Sequence, residues 1–80
     1  VQDKGKVALV QQNAKDLADI INAQEGADKS NPMTQQKIID TYVKKIGISN
    51  IGQATNEQLI TITQYIKKNI GKYQESSQDK

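Results

Sequence analysis

The sequence contains no cysteine, histidine, arginine, tryptophan or phenylalanine, and it has a single proline and a single methionine. Each absence excludes something. Without cysteine there is no disulfide, thiolate ligand or sulfur nucleophile. Without histidine the usual general base and the commonest metal ligand are missing. No conventional acid–base or nucleophilic constellation can be assembled, so the chain reads as non-enzymatic and without cofactor or metal. Lack of arginine removes the planar fork that recognises phosphates and base edges bidentately. No phosphate-cradling glycine loop occurs, no apolar run approaches the roughly 20 residues needed to span a bilayer, and no signal-peptide pattern is present. The chain begins at Val1 rather than methionine, as an excised or processed piece would. Aromatics are confined to Tyr42, Tyr65 and Tyr73, and apolar residues make up 35% of the 80 positions. That allows one domain with one small core and leaves no volume for a deep substrate cavity.

What is present is lysine, unevenly placed. Residues 1–28 hold three lysines against five acids, whereas residues 29–80 hold eight lysines against four acids. The net charge of +2 conceals this asymmetry.

Helical patterning organises the chain, and the stretch 34–71 carries it most clearly. Ile38, Ile39, Tyr42, Val43 and Ile46 recur at helical spacing, as do Leu59, Ile62, Ile66 and Ile70. Thr34 is positioned to cap the first of these segments, with Asn31 before Pro32 as an alternative start. Gly47 follows its last apolar residue, and Ile48 occupies the position whose side chain folds back in a Schellman ending. Thr55 and Gln58 form an S/T-x-x-Q capping box for the second segment, and Gly71 is its expected stop. Upstream, Val7, Val10, Ala14, Leu17 and Ile21 follow a 3-4-3-4 spacing, widened by Ala18, with Gly26 as a stop. Residues 25–33 are loop by composition, and flexibility there would leave the first helix the least tightly docked. The expected fold class is all-α: a small three-helix bundle with helices near 7–24, 35–46 and 56–70. Residues 1–6 are expected to fray, 7–71 to form the domain, and 72–80 to be a disordered tail. The two later helices are expected to be antiparallel neighbours, with Ile48 and Ile51 plugging the bundle end.

Candidate binding residues cluster on the third helix. Ile60 and Tyr65 flank its apolar stripe on opposite sides; they are either buried at helix seams or one of them marks an exposed groove. Lys67 lies near Ile60, and Lys68 near Tyr65; Lys72 follows. An apolar anchor beside exposed lysines corresponds to micromolar, salt-sensitive binding of an acidic, apolar-ended peptide. Lysines at helix C-termini also complement the helix dipole, so this pattern has a purely structural reading as well. Direct nucleic-acid binding is expected to be weak or absent. Asp16 and Asp19, one turn apart, read as a solvated helix face.

The run MTQQKIIDTYVKKIGISNIGQATNEQLITITQYIKKN resembles the helical C-terminal regions of phage-type single-strand annealing (recombination) proteins. The shared pattern is Met-Thr before an amphipathic helix, Gly-Ile, a short loop, Thr-x-x-Gln-Leu and a closing helix. The resemblance implies a cytoplasmic accessory module that docks a single-strand-binding protein or a companion exonuclease while annealing lies elsewhere. A second resemblance, carried by Lys45-Ile46-Gly47-Ile48-Ser49, is to three-helix modules of bacterial surface proteins, including albumin-binding ones. It implies extracellular ligand binding instead.

Overall fold

The computed structural model describes the backbone of residues 1–78 and the side chains of residues 1–74. It contains α1 (Lys4–Asn22), α2 (Gln35–Lys45) and α3 (Asn56–Gln78), with a short 3₁₀ turn at Ile51–Gln53 leading into α3. The chain is an all-α three-helix bundle, and no strand occurs among the described residues.

Local chemistry writes most of the helix ends. Asp3 caps α1, its carboxylate accepting from the Gly5 N–H at 2.9 Å. Thr34 caps α2 through a 3.2 Å bond from the Lys37 N–H, so the alternative start at Asn31 is not used. At the other end of α2, Gly47 has a φ of +87°. The Ile48 N–H reaches back to the Val43 carbonyl and the Gly47 N–H to Lys44, at 3.0 and 3.1 Å, the paired bonds of a Schellman ending. Thr55 and Gln58 satisfy each other's backbone N–H groups at 3.1 and 2.9 Å, the reciprocal capping box read from the sequence.

Two boundaries differ from expectation. Helix α1 starts at Lys4 rather than near residue 7, because its cap is Asp3 and its first turn is too polar to register as an apolar stripe. Residues 1–3 lie bonded beside the start of α3. The Gln2 side chain donates to the carbonyls of Ile51 and Ala54 at 2.8 and 2.9 Å, and Asp3 and Val1 bond the side chain of Asn56. Helix α3 does not stop at Gly71 but runs to Gln78. Ile70 and Tyr73 pack against the core on either side of this glycine, and their burial offsets the roughly 0.5–1 kcal/mol that a helical glycine costs. The tail expected over 72–80 falls in part on residues 79–80 and on side chains beyond Gln74, which lie outside the described residues.

The core is built from one face of each helix: Val10, Ala14, Leu17 and Ala18; Ile38, Ile39, Tyr42 and Val43; and Leu59, Ile62 and Ile66. Ala54 joins them, and Ile48 and Ile51 pack partly buried against the cluster as end plugs. Helices α1 and α3 run side by side in the same sense. Their starts are bonded at Asp3 and Asn56, and residues 13–20 share a groove with residues 67–74. Helices α2 and α3 run in opposite senses, with Lys45 over Tyr65, and Ile38 and Tyr73 lining one cleft.

The first helix is not the loosely docked one. It packs extensively on both others, while α2 and α3 touch sparingly. Its following loop is tied back by a two-way bond between the Asn22 side chain and the Met33 backbone, 2.8 Å in each direction. Asp28 bonds the Ser30 N–H and hydroxyl, and Lys37 reaches Asn31 and the Pro32 carbonyl. The polar composition that marks this segment as a loop is the same chemistry that pins it.

Candidate functional site

Helix geometry advances about 100° per residue, so residues of α3 separated by three, four or seven share a side. Tyr65, Lys68 and Lys72 form such a stripe, and Tyr65 places its ring beside α2. Ile60 and Lys67 share the opposite flank, facing α1. Of the five residues singled out in the sequence, Tyr65 meets α2 whereas Lys67 lines a groove against α1, so the five do not share one seam.

On the α2 side, Tyr65 is 38% exposed, so it is not buried in the seam. Its ring is stacked on Tyr42 with centroids 6.2 Å apart and planes 18° from parallel. The Lys45 ammonium sits 5.0 Å from the ring centroid, a cation–π distance. Tyr42 itself is buried and its hydroxyl accepts a hydrogen bond from the Asn69 amide. Burial pushes the Tyr42 hydroxyl above its ordinary ionisation range, and neighbouring Tyr73 acts in the same direction. Lys45, Lys68 and Lys72 are exposed. Among the described residues the one ion pair is Lys6–Asp3, at 3.1 Å, so none of these three lysines is neutralised by a described carboxylate. Lys45 was not among the residues singled out on α3. Its signal in the sequence was only its place at the end of α2, opposite a tyrosine that the antiparallel pairing brings near.

On the α1 side, Ile60 is 44% exposed, and Lys67 lines an open groove of about 500 Å³ with Asn13, Asp16, Asp19, Ile20 and Ile70. This groove carries both signs of charge. Asp16 and Asp19 are exposed, and no group of three or more carboxylates among the described residues is placed to hold a metal ion. A second cleft, between all three helices, is walled by Leu17, Ile21, Met33, Ile38, Tyr42 and Tyr73. All three aromatic residues of the chain thus gather around the α2–α3 seam.

No helix among the described residues is long and apolar enough to cross a membrane. In comparison with known proteins, the chain matches no family model, no curated protein and no solved structure.

Proposed function

We propose that the chain is a non-enzymatic docking module whose α2–α3 seam receives an acidic peptide segment. The observation that supports this most directly is the grouping of Tyr65 with Lys45, Lys68 and Lys72. A half-exposed aromatic is held in place by a stacked neighbour and a cation, and no described carboxylate pairs with the surrounding lysines. A pre-positioned ring beside exposed lysines suits a ligand with carboxylates and an apolar group. Exposed lysines add less than about 1 kcal/mol each, so affinity is micromolar and weakens with salt. Ile60 and Lys67, on the other flank, lie outside this surface. The resemblance to annealing-protein C-terminal regions extends the reading: the module is then the accessory end of a phage DNA-recombination protein, and its partner a single-strand-binding protein or an exonuclease.

The test is a titration of the isotope-labelled chain with an acidic peptide and, separately, with single-stranded DNA. Saturable shifts at residues 41–45 and 65–72 with peptide, lost in Lys45→Ala/Lys68→Ala/Lys72→Ala and kept in Ile60→Ala/Lys67→Ala, are the expected result. Tighter binding of DNA than peptide, with a steep salt slope, would replace docking with phosphate contact.

A further inference from the structure

We infer that the cleft where the three helices meet is the seat for one aromatic side chain of the acidic segment; the inference rests on the docking reading above. The cleft has a volume of about 240 Å³. That is below the range of about 300–1,000 Å³ typical of small-molecule sites, and it suits a single large side chain. Its walls combine the Met33 thioether with the rings of Tyr42 and Tyr73. Sulfur–aromatic and ring–ring contacts both favour an aromatic guest over an aliphatic one.

Charge and continuity select the guest's context. Tyr42 belongs to both places: it lines the cleft and stacks on Tyr65 at the surface. Besides its tyrosine hydroxyls, the polar groups described in the cleft are Thr41 and Asn69. Thr41 lies one turn before Lys45 on α2, and Asn69 lies one turn before Lys72 on α3. A segment whose ring enters the cleft therefore runs its neighbouring carboxylates past Lys45 and Lys72. The larger α1–α3 groove offers the same segment Asp16 and Asp19, which repel it. Among the described residues, no carboxylate lines the smaller cleft.

The experiment compares two peptides rich in aspartate and glutamate, identical except that one phenylalanine is replaced by alanine, on the native chain and on Thr41→Trp. Thr41 is exposed, so a bulky ring there closes the cleft from outside without entering the core. The phenylalanine peptide should bind about 10-fold or more tighter than the alanine one, shifting the methyl signals of Leu17, Ile21 and Met33. Thr41→Trp should erase that difference. Circular dichroism verifies that the variant is folded, and the methyl shifts on the native chain give a readout that does not depend on it. Equal affinity for the two peptides, or silent methyls at Ile21 and Met33 during saturable binding, overturns the cleft assignment and leaves docking at the seam standing. Binding of neither peptide overturns both.

Discussion

Asp3 and Asn56 join the starts of α1 and α3: the Asp3 backbone N–H donates to the Asn56 side-chain oxygen at 2.7 Å, and the Asn56 amide donates to the Val1 carbonyl at 3.2 Å. Asn56→Ala removes both bonds at a partly buried position. It should lower stability by about 1 kcal/mol, a fall of roughly 4–8 °C in Tm for a domain of this size. Gln2→Ala, which frees the Ile51 and Ala54 carbonyls, should act in the same direction. Thermal melts check both, and an unchanged Tm in each would show that the clasp contributes nothing.

Two glycines should respond to alanine with opposite signs. Gly47 has a φ of +87° and nothing within 4 Å of where a Cβ would sit, so Gly47→Ala suffers backbone strain alone, about 1–2 kcal/mol of destabilisation. Gly71 also has open space at its Cβ position but lies within α3 at an ordinary helical φ, so Gly71→Ala should stabilise by about 0.5–1 kcal/mol. Urea midpoints separate the two.

The core and its nearest exposed analogue give a calibrated contrast. Leu59 is 0% exposed and Leu9 is 50% exposed. Leu59→Ala should cost about 2–5 kcal/mol, enough to unfold much of a small domain. Leu9→Ala should stay within about 0.5 kcal/mol. Comparable losses in a denaturant titration would mean that Leu9 is covered in solution.

Stability should fall at both ends of the pH scale for separate reasons. The Lys6 ammonium, bonded to Asp3, and the Gly5 N–H hold the Asp3 carboxyl below its ordinary 3.8. The Ser30 hydroxyl and N–H do the same for Asp28. A carboxyl whose folded value is lowered binds fewer protons folded than unfolded. Its contribution is present above the ordinary value and disappears as pH drops through the folded one. Tyr42 is raised above 10.0, so its contribution is complete below that value and is lost as pH climbs through the folded one. Asp3→Asn should flatten the acid limb of stability against pH, and Tyr42→Phe the alkaline limb.

Features governed by neighbours within a few residues were legible in the sequence. The Thr55/Gln58 box and the Thr34 cap depend on side chains three positions from the backbone groups they satisfy, the Gly47–Ile48 ending on backbone bonds spanning at most five, and all are observed. The apolar stripes likewise mark the buried faces, because helical spacing alone decides which side chains share a side. The clasp was not legible: Gln2, Asp3 and Asn56 are polar residues about 50 positions apart, and no periodicity announces that they meet. The ranking of the helices inverted for a related reason. Residues 34–71 have the clearest punctuation, but punctuation sets where helices end, whereas α1 wins on packing because its small Ala14 and Ala18 lie in its buried face. Small side chains give weak sequence signals and permit close approach. The candidate surface was half legible: the Tyr65–Lys68–Lys72 stripe follows from spacing, and Lys45 required the pairing of α2 with α3.

The loop around Gly26 separates the helix that packs closely on both neighbours from the two whose backbones approach each other less closely. Cutting the backbone there would yield one fragment containing α1 and another containing α2 and α3. Neither holds a complete interior, and most helical stability in a protein comes from packing an apolar face against its neighbours. Mixed together, the fragments should recover helicity cooperatively and in proportion to their concentration, while the larger fragment alone should not. The domain is thus a split pair by construction, with α1 as the complementing half.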